Sequence, residues 1–228
     1  MTMKAAVCLL SGGLDSATTL FYTIKENFRV LALTVDYGQI HRRELESAKK
    51  ITNYLKIEHE IISIELPWKG SALLDETIPI PQNRDTTEIS KEIPVTYVPA
   101  RNTIFLSLAA SYAEVRGASA IFIGANAIDY SGYPDCRPEY FKQMETAICL
   151  GTKAGVEGAR ISIETPLIHL TKAEIIKLAT QLGVPLEWTW SCYRGDRFPC
   201  ENCDACFLRK KGFAEAGIDD PLFSSVKE

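Results

Sequence analysis

Ser11-Gly12-Gly13-Leu14-Asp15-Ser16 joins an apolar run to a helix-like segment, and this junction decides the fold. The preceding residues, 5–10, are almost entirely apolar, as in a strand buried in a parallel sheet. From Ser16 to Glu26 the apolar residues recur with helical spacing. Two adjacent glycines let the backbone approach an anion closely, and the first amides of the helix point at that anion. The sequence therefore predicts a phosphate-binding turn, with the hydroxyls of Ser11 and Ser16 as further donors.

This turn differs from two common nucleotide-binding motifs. No lysine follows the glycines, as a Walker A loop requires, and the spacing is not that of Gly-x-Gly-x-x-Gly. The pattern Ser-Gly-Gly-x-Asp-Ser instead resembles the PP-loop of the ATP pyrophosphatases, which split ATP between its α and β phosphates and use the adenylate to activate a substrate. An ordinary capped turn between strand and helix favours the same small residues and is the alternative.

The composition is that of an ordinary globular protein. The 228 residues are 46% hydrophobic and 24% charged, enough to bury the core of one domain with a small appendage. No apolar run approaches the roughly 20 residues that cross a bilayer, and the N-terminus lacks a signal-peptide layout, so we expect a cytoplasmic protein without membrane partners. The net charge of -4 disfavours nucleic acid and favours small-molecule substrates.

Four of the seven cysteines form the pattern Cys192-x7-Cys200-x2-Cys203-x2-Cys206. An odd total in a reducing compartment argues against a pure disulfide framework, and four thiolates can surround one tetrahedral Zn²⁺. Because four protein ligands leave no open position, we expect one structural zinc ion per chain. An iron–sulfur cluster and a redox Cys-x-x-Cys pair are the alternatives. We expect an ATP-binding unit over residues 1–186 and a zinc-binding segment over residues 187–228 packed on it.

Further along the chain, apolar strands alternate with helical segments. Val30 to Val35 is a second buried run, Arg42 to Leu55 an amphipathic helix, and Glu60 to Ile64 a third strand. Helices between strands imply parallel pairing through right-handed crossovers, which is the doubly wound α/β architecture. Ligands of such sheets bind beyond the carboxyl ends of the strands, so the turn at Gly124 should join the glycine turn in one crevice.

Two segments are less regular, and one later helix is well marked. Glu65 to Thr96 has four prolines and no sustained periodicity, which predicts a long surface loop, either a lid or binding segment or a disordered one. The alanine-rich stretch from Thr103 to Arg116 predicts a helix buried on most sides. Thr171 and Glu174 form a capping box for a helix from Lys172 to Leu182.

Two longer motifs stand beside the glycine turn and the cysteines: Tyr37-Gly38-Gln39-Ile40-His41-Arg42-Arg43-Glu44 and Tyr130-Ser131-Gly132-Tyr133-Pro134-Asp135-Cys136-Arg137-Pro138. Together they resemble the 7-cyano-7-deazaguanine synthases, a family of PP-loop ATP pyrophosphatases, over nearly the whole chain. The resemblance implies the adenine nucleotide alpha-hydrolase-like fold, a homodimer, and ATP-dependent conversion of 7-carboxy-7-deazaguanine and ammonia to the nitrile, toward queuosine or archaeosine. Ala100 occupies a place where the family usually has glycine, so we expect an ordinary backbone conformation there.

The family chemistry implies two activations by ATP. The substrate carboxylate attacks the α phosphorus, pyrophosphate leaves, and ammonia displaces AMP to give an amide, which a second activation dehydrates to the nitrile. These steps need phosphate donors more than a protein nucleophile. We expect catalytic roles for Asp15, Arg101 and Lys172, with Asp15 orienting the loop or a Mg²⁺ ion. Asp15 as a plain helix-start residue, and the two cations as solvated or salt-bridged surface groups, are the alternatives.

His41 lies in a family motif and is a candidate general base. The remaining predicted contacts form two sets, one to ATP and one to the deazaguanine. The predicted ATP-binding residues are Leu10, Ser11, Gly12, Gly13, Leu14, Asp15, Ser16, Ala17, Thr18, Thr19, Leu20 and Gly124. The predicted contacts to the deazaguanine are Asp129, Ser131, Gly132, Tyr133 and Asp135.

Two rival functions use the same motifs. A PP-loop enzyme that modifies tRNA, by thiolation or by a lysidine-type ligation, shares the ATP turn, although the acidic balance counts against it. A zinc module that only binds a nucleotide or a partner chain would have no turnover.

Overall fold

A single parallel sheet organises the protein, in a computed structural model that describes residues 3–89, 92–128 and 133–224. Its strands are β1 (Ala5–Leu9), β2 (Arg29–Asp36), β3 (Glu58–Ser63), β4 (Ala120–Ile123) and β5 (Ser162–Glu164), in the order β3-β2-β1-β4-β5. All pairs are parallel, and Val7 of the central strand lies opposite both Leu31 and Ile121. The prediction of a doubly wound α/β sheet is confirmed.

Helices connect these strands and cover the sheet. They are α1 (Leu14–Lys25), α2 (Arg43–Leu55), α3 (Thr86–Ile89), α4 (Arg101–Arg116), α5 (Pro138–Gly151), α6 (Lys153–Val156), α7 (Lys172–Leu182), α8 (Asp204–Ala216) and α9 (Pro221–Ser224), with 3-10 turns at Pro134–Cys136 and Leu186–Trp188. Over the described ranges, none of these helices combines the length and the apolar character that a bilayer crossing needs.

Alternating side chains of the strands feed two cores, one on each face of the sheet. Val7 and Leu9 pack with α4 and α5, whereas Ala6 and Cys8 pack with α1, α2, α7 and α8. Because helices cover both faces, every residue of β1 is buried, which explains its unbroken apolar run.

Helix α4 is only half-buried, so the prediction of burial on most sides is wrong. Leu106, Ala109 and Ala113 face the sheet, while Val115 is 80% exposed. The helix covers one face of the sheet and has solvent on its other side. Its alanines let the helix backbone lie close to the strands.

The long loop between β3 and α4 is packed against the protein at several points along its described part. Leu66 and Leu73 are buried, and the amide of Ile40 donates to the carbonyl of Leu73 at 3.0 Å. Arg84 forms an ion pair with Asp204 at the start of α8. These contacts favour the predicted binding segment over the disordered alternative.

Ala100 has φ 54° and ψ 25°, so the expectation of an ordinary backbone there is wrong. The chain turns sharply into α4 at this residue, and the hydroxyl of Tyr97 accepts from the amide of Ala100 at 3.1 Å. A left-handed conformation costs a residue with a Cβ about 1–2 kcal/mol. The turn is thus strained where glycine would relax it.

The C-terminal segment joins the core on the α7 side. Phe213 of α8 lies in the same core as α1 and α7. The buried Arg209 donates to both oxygens of Asp220, at 2.6 and 2.9 Å, and to the carbonyl of Leu186 at 3.1 Å. The division of the chain at residue 186 stays a prediction.

Candidate active site and metal site

A cavity of about 260 Å³ lies beyond the carboxyl ends of β1, β2 and β4. The glycine turn, the start of α2 and the start of α4 form its walls, and side chains of the C-terminal segment complete it. This is the position in which a doubly wound sheet binds its ligands.

The glycine turn places backbone amides at the N-terminus of α1. Ser16 Oγ accepts from the amides of Ser11 and Gly12, each at 3.2 Å, which fixes the turn from within. Among the described residues, no side chain caps the first turn of α1, whose N-cap is Gly13. The first amides of α1 are therefore available to an anion, together with the positive end of the helix dipole.

Two glycines are required here by close backbone packing. Gly12 has φ +94°, and a Cβ on it would overlap the carbonyl oxygen of Glu44 and lie 2.8 Å from the amide nitrogen of Ala48. A Cβ on Gly124 would lie 2.8 Å from the carbonyl oxygen of Asp15. The turn and the start of α1 are thus in close backbone contact with α2 on one side and with the end of β4 on the other.

The predicted ATP-binding set divides in this geometry. Leu10, Ser11, Gly13, Leu14, Asp15, Ser16 and Gly124 line the cavity. Ala17, Thr18 and Leu20 are fully buried beneath it, and the hydroxyls of Thr18 and Thr19 donate to the carbonyls of Leu14 and Asp15, four residues earlier. These four residues of α1 support the turn from behind.

Asp15 and Lys172 meet in the cavity although 157 positions separate them. Lys172 Nζ donates to both carboxylate oxygens of Asp15 at 2.8 Å, and the side chains are 11% and 23% exposed. Lys172 is the first residue of α7, where the predicted capping box is present: Thr171 Oγ1 accepts from the amide of Glu174, whose carboxylate accepts from the amide of Thr171. The box fixes the backbone from which Lys172 reaches the cavity.

Arg101 enters the cavity from the start of α4. Its guanidinium lies 5.8 Å from the centre of the Tyr37 ring and donates to the Tyr37 hydroxyl at 3.3 Å. Asp135 holds the beginning of this helix, because its carboxylate accepts from the amide of Asn102 at 3.0 Å and its carbonyl accepts from the Asn102 side chain at 2.9 Å. Asp135 is buried in this role and does not line the cavity.

Of the predicted deazaguanine contacts, Tyr133 lines the cavity. Its hydroxyl lies 3.1 Å from Thr96 Oγ1, and its ring centre lies 5.7 Å from that of Tyr97. Asp129, Ser131 and Gly132 lie outside the described residues.

The first turn of α2 supplies two cavity residues that sequence reasoning missed, Glu44 and Leu45, and His41 just before the helix was proposed as a base. Glu44 was not predicted, and burial raises the pKa of its carboxyl to about 7, with the Arg101 charge opposing the shift. His41 is buried, and its Nδ1 has no hydrogen-bond partner among the described residues. Burial also lowers the pKa of His41 to about 4, so the imidazole is neutral at pH 7.

The C-terminal segment supplies further missed residues, namely Trp190, Ser191, Tyr193, Ala205, Leu208 and Arg209. The amide of Trp190 donates to the carbonyl of Gly12 at 3.0 Å, and the guanidinium of Arg43 lies 4.8 Å from the Trp190 ring centre. No local motif signals this docking, since it joins residues far apart in sequence. The segment therefore forms part of the wall around the glycine turn.

The four clustered cysteines converge directly behind that wall. The Sγ atoms of Cys192, Cys200, Cys203 and Cys206 all lie within 4.8 Å of one another. Ligands of a tetrahedral Zn–S₄ site, with Zn–S of about 2.3 Å, are roughly 3.8 Å apart, so the group fits a metal with little adjustment. The amides of Arg194 and Cys200 donate to Cys192 Sγ at 3.3 Å, which suits a thiolate. The cluster can hold a metal ion.

Comparison with known proteins decides the family. A family model described as "Queuosine biosynthesis protein QueC" matches residues 5–217. The chain belongs to the QueC family. A relative from Thermoplasma volcanium named 7-cyano-7-deazaguanine synthase is 54% identical over 96% of this chain and 90% of its own length. One from Trichodesmium erythraeum with the same name is 55% identical over 95% of this chain and 99% of its own length.

A solved structure shares the fold of this QueC-family chain at low sequence identity. A 4-thiouridine synthetase, crystallised with RNA and bound ATP, superposes with a TM-score of 0.52 and 19% identity, over 92% of this chain and 53% of that one. The similarity confirms the predicted PP-loop fold. The family match, at far higher identity, separates the chain from the rival class of tRNA-modifying enzymes.

Proposed function

We propose that this chain is an ATP-dependent ligase that converts 7-carboxy-7-deazaguanine and ammonia to 7-cyano-7-deazaguanine, a precursor of queuosine or archaeosine. The observation that carries this proposal is the name shared by relatives 54–56% identical over 95% or more of the chain. The cavity supports it, because phosphate donors and charged side chains share one enclosure at the end of the sheet.

In the first step, the substrate carboxylate attacks the α phosphorus of ATP and pyrophosphate leaves. The amides of the glycine turn and the start of α1 hold the departing phosphates, with Ser11 and Ser16 shaping the turn. Charge accumulates on the phosphate oxygens in this step, so a preorganised cation nearby lowers its barrier. Lys172 and Arg101 supply positive charge from two walls of the same cavity.

Asp15 acts in this scheme by positioning Lys172. Both of its carboxylate oxygens accept from the ammonium group, which leaves Asp15 poorly placed as a metal ligand in the same arrangement. Mg²⁺, which neutralises charge on ATP, would then be held mainly through phosphate oxygens.

In the second half of the reaction, ammonia displaces AMP to give the amide, and a second adenylation turns the amide oxygen into a leaving group for the nitrile. The adenylates must be kept from water. Leu9, Leu33 and Ile123 form an apolar floor beneath the glycine turn, and Tyr133 offers an aromatic surface to the deazaguanine ring.

The cysteine cluster would hold one structural Zn²⁺ per chain, with four thiolates and no open position for substrate. Its place behind Trp190 gives the metal a role in holding the wall of the ATP site.

The protein would be a homodimer. Val115, Leu150 and Val156 are 77–80% exposed, and the carboxylate of Glu114 accepts from the amide of Ala154, so α4 and α6 present apolar side chains near one another. Sedimentation at two protein concentrations tests this, and a monomer at both would exclude it. The cytoplasmic location and the absence of a nucleic-acid partner stay predictions.

Incubation with ATP, ammonium and 7-carboxy-7-deazaguanine, followed by mass spectrometry, tests the activity. We expect the amide and then the nitrile, with AMP released at each activation. Absence of both nitrile and AMP would refute the proposal. Tight, salt-sensitive tRNA binding without turnover of the acid would favour the rival class.

A further inference from the structure

Glu44 stands out because it is a cavity carboxylate with no hydrogen-bond or ion-pair partner among the residues that the structure describes. It occupies the second position of α2 and lines the cavity, yet no hydrogen bond or ion pair joins its carboxylate to a residue in the described ranges. Asp15, the other carboxylate among the described residues that line the cavity, already accepts from Lys172 through both of its oxygens. A partly buried carboxylate left unpaired in a binding cavity is costly unless a ligand satisfies it.

The backbone locates Glu44 at the phosphate end of the cavity. Its carbonyl oxygen packs so tightly against Gly12 that a Cβ there would overlap it. The bond that ammonia must replace joins the substrate's carboxyl carbon, through one oxygen, to the α phosphate, and in the proposed scheme the α phosphate is bonded to the pyrophosphate that the glycine turn holds. A group anchored beside Gly12 is therefore close to the carbon under attack.

The chemistry of that attack requires a proton acceptor. Ammonia exists mainly as ammonium in neutral water, and ammonium has no lone pair with which to attack. A desolvated carboxylate both attracts the cation and takes its proton. The carboxyl of Glu44 suits this exchange, because burial raises its pKa to about 7 and so makes it a stronger base than an exposed glutamate.

We propose that Glu44 is the ammonium-binding residue of this cavity and the general base that releases ammonia for attack. The proposal rests on the proposed function. Ammonium binds to the carboxylate and transfers one proton to it. The nitrogen lone pair then forms the C–N bond to the adenylated carboxyl carbon, the C–O bond to the phosphate breaks with its electrons, and AMP leaves. The second proton lost from nitrogen goes to solvent or to the departing phosphate.

Other charged and titratable groups share the cavity with Glu44 and shape its ionisation. They are Asp15, Tyr37, His41, Arg101, Tyr133, Lys172, Tyr193 and Arg209. Arg101 is the group whose charge acts most directly on Glu44, and it favours the ionised form. Its presence keeps the carboxylate available as a base near neutral pH.

Glu44→Gln removes the base and keeps the shape, and Glu46→Gln on the exposed side of the same helix is the matched control. Three rates are measured for each variant: acid-dependent exchange of labelled pyrophosphate into ATP, amide formation with ammonium, and hydroxamate formation with hydroxylamine. The exchange rate measures formation of the adenylate without the later attack by ammonia. Hydroxylamine is largely neutral at pH 7 and needs no deprotonation before it attacks.

We expect Glu44→Gln to keep exchange and hydroxamate formation within a few-fold of wild type. Its kcat/KM for ammonium at pH 7 should fall on the order of 100-fold or more, as for loss of a general base. Glu46→Gln should match wild type in all three rates. Loss of exchange together with amide formation would overturn the proposal and assign Glu44 to recognition of the purine ring or of ATP. An unchanged rate with ammonium would also overturn it.

A pH profile of the wild-type enzyme provides a second test that does not depend on a variant folding. With Glu44 as base, kcat/KM for total ammonium should fall as pH decreases below about 7 and level off above it, because the ionised carboxylate is then fully formed. A rise of roughly tenfold per pH unit that continues above pH 7 would mean that the enzyme uses only free ammonia, and would refute the proposal. Wild-type protein without acid-dependent exchange would refute the proposed function itself.

Discussion

Replacing Gly212 by alanine tests how helix α8 positions Lys172 in the cavity. A Cβ at residue 212 would overlap Lys172 Cγ and lie 2.9 Å from both Lys172 Cβ and Ile176 Cδ1. A new side-chain rotamer can move Lys172 Cγ away, but Cβ is fixed to the backbone of α7. The two helices must therefore separate, and the ammonium group shifts from the two 2.8 Å contacts that it makes with Asp15.

Two opposing effects set the change in stability. Alanine in place of a helical glycine raises the free energy of unfolding by roughly 1 kcal/mol, whereas overpacking between two helices lowers it by about 1–3 kcal/mol. The net loss should be about 0–2 kcal/mol, small enough for Gly212→Ala to remain folded. The effect on catalysis is larger, because loss of one preorganised donor to a developing charge costs roughly 100- to 1,000-fold in rate.

Urea unfolding and the rate of AMP release measure these two quantities separately. Gly151→Ala at the end of α5 is the matched control, because a Cβ there meets nothing within 4 Å. This control should retain full activity, and its free energy of unfolding should rise by up to about 1 kcal/mol. A Gly212→Ala variant that is as active as wild type, or that loses rate only in proportion to its unfolded fraction, would refute this account of Lys172.

Substitutions at four further positions probe the turn, the caps and the metal site. Gly12→Ala combines a left-handed φ with overlap on the carbonyl of Glu44, so urea unfolding should show a loss of roughly 2–5 kcal/mol; a loss below about 1 kcal/mol would contradict the packing. Ala100→Gly should instead gain about 1 kcal/mol by the same measurement, since it relieves the left-handed strain, and a loss would show that the Cβ contributes more than the strain costs. Thr171→Ala removes the side-chain cap of α7, so the free energy of unfolding should fall by about 1 kcal/mol and the rate of AMP release should also fall. Thr171→Ser keeps the capping hydroxyl and should retain wild-type stability and rate. Cys200→Ser should lower bound zinc from one ion per chain toward none, by metal analysis, and lower the Tm; iron in the wild-type protein would contradict the zinc assignment.

Local signals made the central features predictable. The strand, turn and helix around Gly12 follow one another without a break, and the capping box of α7 needs only residues 171–174. The strand 58–63 was placed two residues late. It is an edge strand that pairs with β2 alone within the described part of the chain, so its polar residues at 58 and 60 remain in the strand and weaken the apolar pattern.

The properties of the site that depend on tertiary burial could not be read from the sequence. Glu44 looks like an ordinary helix-start glutamate until the cavity forms around it and raises its pKa. Asp15 was expected to orient the loop or a Mg²⁺ ion, and Lys172 to have a catalytic role, but their mutual contact depends on how α1 and α7 pack. The left-handed backbone at Ala100 was missed although the family usually has glycine there, because alanine seldom adopts a positive φ and so indicates an ordinary backbone.

The central place of β1 in the sheet has a consequence for synthesis of the protein. β1 precedes the other strands of this sheet in the chain, but one of its neighbours is β4, and the cavity at its end is lined by residues from Leu9 through Arg209. The ribosome adds roughly 5–20 residues per second, so about 10–40 s pass between synthesis of the glycine turn and synthesis of the last residues that line the cavity. A nascent chain therefore carries an apolar strand beside an unfinished cavity until the cysteine segment emerges, and under the proposed function it can bind ATP only from that point.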